Sequence, residues 1–120
     1  MVLYFMAMAK NGRIQFCELE ELKRVRRVTK WVDELRDELT ALYLGDKQIV
    51  VMSSICLHNG GEFDVDWDKQ QLRCRWHDWK FDIKTGECLS YSLPGRRLTH
   101  YPCEVQAGKV DVLLAQEKTA

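Results

Sequence analysis

Cys56-Leu57-His58-Asn59-Gly60-Gly61 and, with fifteen residues intervening after His58, Cys74-Arg75-Trp76-His77-Asp78-Trp79-Lys80-Phe81-Asp82 are the two stretches on which the reading of this chain turns. Each sets a cysteine beside a histidine, as C-x-H in the first and C-x-x-H in the second. Thiolate and imidazole suit soft and borderline metal ions, and four of them in two short pairs make a metal site. Strands expected over residues 49–54 and 71–72 place both pairs on loops and bring those loops together.

Two metals compete for such a donor set. One Zn²⁺ ion bound tetrahedrally would make a structural Cys2His2 site. Structural zinc usually pairs like ligands across two to four residues, whereas here each pair mixes one cysteine with one histidine, and a single-residue gap is unusual. A [2Fe-2S] cluster with two thiolates on one iron and two imidazoles on the other needs this mixture, each loop supplying one ligand to each iron.

The surrounding residues resemble the Rieske-type [2Fe-2S] ferredoxin family. Residues 56–61 look like its first cluster-binding loop and residues 74–82 like its second. Lys84-Thr85-Gly86-Glu87 is similar to the turn that follows, Pro94-Gly95 to the proline-bearing loop beside the cluster, and Tyr101-Pro102-Cys103-Glu104-Val105 to the approach to the last strand. The likeness covers about the last two-thirds of the chain. It implies one [2Fe-2S] cluster held by Cys56, His58, Cys74 and His77, and a fold of small antiparallel sheets with both loops at one tip. Gly60 and Gly61 would let backbone N–H groups approach the sulfides, or form a plain turn. Trp76, Trp79 and Phe81 would wall the site from water or simply fill the core.

Outward from the motif the pattern is all-β. Short apolar or alternating runs recur over residues 14–19, 24–32, 39–44, 48–55, 71–75, 80–83 and 109–114, separated by turn signals at Gly45-Asp46, Lys84-Thr85-Gly86 and Ala107-Gly108. Trp31, Val32, Leu35, Leu39 and Leu42 also fall at near-helical spacing in a charged segment. A hairpin is preferred there, because residues 40–44, a Gly-Asp turn and residues 48–52 make a strand, turn and strand. One domain spanning residues 1–120 is expected, this length suiting a single modest core.

Composition narrows the function. Hydrophobic residues make up 46% and charged residues 30%, a globular balance; 18 basic and 18 acidic residues cancel, so no overall field draws the chain to nucleic acid or anionic lipid. The apolar opening, residues 1–9, is too short for a membrane span and lacks a basic leader, so a soluble, cytoplasmic monomer is expected. Five cysteines suit thiolate chemistry better than a disulfide framework, and Cys17, Cys88 and Cys103 are assigned to packing.

The high-potential Rieske proteins of respiratory complexes carry an extra cysteine in each loop, and a serine and a tyrosine that hydrogen-bond the sulfurs. Here those positions are Gly61 and Trp76, and Trp79 and Phe81. The resemblance therefore implies the low-potential, oxygenase-associated branch, near the bottom of a span of about −150 to +300 mV. The implied function is a soluble one-electron carrier between an electron-donating reductase and a terminal oxygenase, a component of a dioxygenase-type system with no catalytic residue of its own. The alternative is a Rieske domain or subunit of a larger hydroxylase, since the loops are also similar to that of CMP-N-acetylneuraminate hydroxylase; Asp78 stands where ring-hydroxylating oxygenases usually have glycine. His100 is the only further histidine, too few for a mononuclear 2-His-1-carboxylate iron site, and is read as a surface or packing residue. Arg75, Asp78, Arg96 and Arg97 are the charges expected to rim a docking surface.

Overall fold

The computed structural model describes residues 12–54, 63–75, 79–90 and 98–114. Among these residues the chain runs β1 (Arg13–Glu18), α1 (Leu19–Val25), β2 (Arg27–Val32), β3 (Asp37–Gly45), β4 (Gln48–Ser53), β5 (Phe63–Asp66), β6 (Gln71–Cys74), β7 (Lys80–Asp82), β8 (His100–Tyr101), β9 (Cys103–Gln106) and β10 (Lys109–Leu113). They form three antiparallel sheets, ordered β1-β10-β9, β2-β3-β4-β8 and β5-β6-β7.

The four-stranded sheet lies between the other two because both its faces are apolar. On one face Val28, Val32, Leu39, Ala41 and Val51 pack with Ile14, Phe16, Val110 and Val112 of the β1-β10-β9 sheet. On the other, Leu42 and Met52 pack with Phe63, Leu72, Cys74 and Phe81 of the β5-β6-β7 sheet, and with Ile83 and Leu98. Alternation along β3 thus serves two cores, since successive side chains point to opposite faces.

The preferred hairpin is present. Gly45 pairs with Gln48 around Asp46 and Lys47, both at positive φ (50° and 63°), the backbone of a two-residue turn that follows strand twist. Ala107 and Gly108, also at positive φ, close a second such turn between β9 and β10. No helix spans residues 31–42: Val32 ends β2 and a tight turn returns the chain into β3, with Leu35 N donating to Val32 O and Arg36 N to Asp33 O.

The one helix among the described residues falls elsewhere, between β1 and β2: the runs expected over 14–19 and 24–32 are strands over Arg13–Glu18 and Arg27–Val32, and only their facing ends, Leu19 and Arg24 to Val25, are helical. Leu19 and Leu22 are three apart, and Leu22 is fully buried. Glu20 and Glu21 occupy the first turn, with Lys23 and Arg24 in the last, complementing the helix dipole. The helix ends at Arg26, in the left-handed region, whose N–H returns to Leu22 O at 2.7 Å. At seven residues it is shorter than the window in which helical periodicity shows. The strands β5, β8 and β9 were also not expected: each has two to four residues.

Cys17 is buried in the first core, with Cys103 packed against that core and Cys88 against the second, as their packing role required. Burial pushes the Cys17 thiol up to about 11 and raises the Cys103 thiol as well. No described helix is long and apolar enough to cross a membrane.

Candidate metal centre

The second motif sits on the β6–β7 hairpin. Gln71 pairs with Asp82, Leu72 with Phe81 and Arg73 with Lys80, so the strands stay in register up to Cys74. Cys74 N then donates to Trp79 O at 2.8 Å, closing the hairpin across the four residues between them, which include His77. Cys74 is fully buried.

The first motif is carried between β4 and β5. The chain leaves β4 at Ser53 and returns at Phe63, and Phe63 is the register partner of Cys74. The return from the first motif and the start of the second are therefore neighbours on adjacent strands, at one end of one small sheet. Of the four expected ligands, Cys74 is described; Cys56, His58 and His77 lie outside the described residues. So do Gly60, Gly61, Trp76, Asp78, Pro94, Gly95, Arg96 and Arg97. Among the described residues no three potential ligands come together.

Beneath Cys74 the floor is dry. Leu72, Phe81, Ile83, Phe63 and Leu98 are all buried, with the Phe63 and Phe81 rings edge to face at 6.4 Å, and half-buried Trp79 packs against them. A thiolate held on such a floor, with a second cysteine and two histidines on segments anchored to the same sheet end, fits a thiolate–imidazole metal centre shielded from water on one side.

Where β4 hands over to the first motif, a hydrogen-bonded frame holds the chain that sequence reading did not reveal. Ser53 Oγ donates to Asp37 Oδ1 at 3.0 Å, and Tyr101 Oη to Asp37 Oδ2 at 2.8 Å. Ser54 N donates to Glu38 O at 2.6 Å, and its hydroxyl lies 2.6 Å from that of Thr40. Loss of water around the Tyr101 phenol, and its bond to Asp37, push it up to about 12. Asp37 is 64 residues from Tyr101 in the chain, so no local motif could announce the pair.

A model of the Rieske [2Fe-2S] domain matches residues 13–102. The chain belongs to the Rieske [2Fe-2S] domain family. The cofactor of this family is a [2Fe-2S] cluster, to which the mixed donor set is suited. Solved structures share the fold. The ferredoxin of carbazole 1,9a-dioxygenase from Nocardioides aromaticivorans IC177 is 19% identical, with a TM-score of 0.69 over 88% of this chain and 100% of that one. The Sphingomonas yanoikuyae B1 ferredoxin is 20% identical, with a TM-score of 0.69 over 86% and 99%. A chain from the oxygenase–ferredoxin complex of carbazole 1,9a-dioxygenase is 18% identical, with a TM-score of 0.71 over 90% of this chain but 30% of that one. No curated protein matches the sequence.

In this Rieske protein His100 is a packing residue. It is half-buried on β8 opposite Met52, its Nε2 2.7 Å from Ile83 O, its ring against Gly86. Gly86 has φ +81°, and a Cβ there would meet His100 Cε1 at 2.7 Å and Leu98 O at 2.9 Å, so only glycine fits. The turn that resembled the family's is thus the joint between the β5-β6-β7 sheet and β8.

Proposed function

We propose that this Rieske protein is a soluble one-electron carrier, taking electrons from a reductase and delivering them to a terminal oxygenase or hydroxylase. Cys56 and Cys74 would hold one iron and His58 and His77 the other. The supporting observation is the Phe63–Cys74 register pair, which ties both ligand-bearing segments to one end of the β5-β6-β7 sheet. A [2Fe-2S] cluster supplies reversible one-electron carriage when bound. The chain's own contribution is an apolar floor of Leu72, Phe81 and Ile83 that excludes water, and a frame around Asp37 that fixes the start of the first segment.

Trp79 and Phe81 bring no aliphatic or phenolic hydroxyl to the site, and hydrogen bonds to cluster sulfur raise the potential. A low potential, suited to oxygenase systems, follows. The named ferredoxins of similar fold serve as the model for that role, and the protein is read as one domain acting as a monomer in the cytoplasm, with no catalytic residue. A second reading is a Rieske domain of a larger hydroxylase, favoured by the match to 30% of a chain from the oxygenase–ferredoxin complex.

Metal and sulfide analysis combined with a dithionite titration tests the carrier role. Two irons, two labile sulfides and one electron taken up per chain are expected. Zinc in place of iron, with no electron uptake, would refute it.

A further inference from the structure

We propose that Asp64 is the positioning residue that couples the two ligand-bearing segments, by gripping the arginines on either side of Cys74. The proposal rests on the ligand assignment above.

Asp64 directly follows Phe63, where the chain returns from the first segment, and its register partner on β6 is Arg73. Residues opposed across an antiparallel pair share a face, and so does the diagonal neighbour two residues on. One carboxylate therefore reaches both arginines: Asp64 Oδ2 accepts from Arg73 Nη2 at 3.1 Å, and Asp64 Oδ1 from Arg75 Nε at 2.9 Å. Cys74, between the two, lies on the opposite face and is fully buried. The ligand is thus framed by two side chains clamped to the strand that ends the first segment. That strand is itself tied to the central sheet, because Arg27 Nη1 on β2 donates to Phe63 O at 3.1 Å.

Exposure decides how this clamp behaves. The side chains are 36% (Asp64), 48% (Arg73) and 57% (Arg75) exposed, so each pair is weak on its own and is screened by salt. Its effect lies in orientation: it holds Arg75, the first residue after Cys74, in one geometry relative to β5, the strand to which the other segment returns. It also sets opposite charges close to Cys74.

The test is cluster retention in the holoprotein, followed by visible circular dichroism in low and high salt, alongside the reduction potential. In low salt Asp64→Asn, which removes both ion pairs, should lose the cluster about fivefold faster than wild type, and Arg75→Gln, which removes one, about twofold faster. The double variant should be little faster than Asp64→Asn alone, as expected when Arg75 acts through Asp64. Wild type should approach the Asp64→Asn rate in high salt, and Asp64→Glu should recover most of the retention. In low salt the potential should rise in Asp64→Asn and fall in Arg75→Gln, both shifts shrinking with added salt, a signature that general loosening does not produce. Wild-type retention in Asp64→Asn, or the same acceleration at both salt concentrations, overturns the proposal. A wild-type protein without a Rieske signal refutes the ligand assignment, and the positioning role with it.

Discussion

Replacing Tyr101 by phenylalanine removes one hydroxyl from the frame at the root of the first ligand-bearing segment, and its consequence can be worked out against pH. The hydroxyl donates to Asp37 Oδ2 at 2.8 Å. A hydrogen bond to a charged acceptor contributes about 1.5–3 kcal/mol, so Tyr101→Phe should destabilise the fold by about 2 kcal/mol near neutral pH. Between pH 10 and 12 the comparison changes. The folded-state phenol is pushed up to about 12, against about 10 in the unfolded chain. The unfolded state then loses this proton first. The hydroxyl's contribution is therefore complete below pH 10 and lost as pH rises towards 12. Two pH units correspond to about 2.7 kcal/mol, which partial exposure of the ring reduces to about 1–2 kcal/mol. Urea denaturation of the two proteins side by side, followed by tryptophan fluorescence from pH 8 to 11.5, measures the difference. Other groups titrating in this range, such as the Cys17 thiol, are common to both and cancel. A gap between the two midpoints that stays constant through pH 11.5 would refute the reasoning.

Gly86→Ala should cost about 2–4 kcal/mol, combining left-handed strain of about 1–2 kcal/mol with displacement of the His100 ring and its bond to Ile83 O, read as a drop in thermal midpoint. Ala at Gly45, where the positive φ is similar but nothing lies within 4 Å, should cost only the strain. Arg96→Glu with Arg97→Glu should slow electron transfer to the physiological partner by about tenfold at low ionic strength, with much less effect at high; stopped-flow rates against salt check this, and an unchanged rate at low salt removes these arginines from the docking surface.

How far the sequence carried the reading depended on the range of the interactions involved. The β3–β4 hairpin and the Ala107-Gly108 turn were legible because two residues and a change of pattern specify each. The Rieske family was legible because ligand chemistry restricts residue type and spacing in its motifs. Helix α1 was not, since a seven-residue helix holding one fully buried residue leaves no periodicity to detect. Strand β5 was hidden by its acidic residues, Asp64 and Asp66, which lower strand propensity. The meaning of Asp64 emerges only when register sets it opposite Arg73. Asp37, Ser53 and Tyr101 meet from three separate strands, and nothing local to any of them marks the meeting.

The position of Gly86 shows how a motif can be recognised for one reason and kept for another. Its turn resembled the one that follows the second cluster-binding loop, and in the folded chain it is where β7, Leu98 and β8 converge. The His100 ring fills the space that any side chain at that position would occupy, so the turn also fixes how the small sheet meets the central one.

The ligand assignment itself is best tested by pulsed electron–nuclear resonance on the dithionite-reduced protein, prepared with ¹⁵N-labelled histidine and compared with His58→Cys and His77→Cys. Two strongly coupled histidine nitrogens are expected in the wild type. Each variant should lose one of them, and any that retains a cluster should show a lower potential, because an anionic thiolate replaces a neutral imidazole. A reduced protein with no paramagnetic signal, or a variant in which both nitrogen couplings survive, would contradict Cys56, His58, Cys74 and His77 as the four ligands.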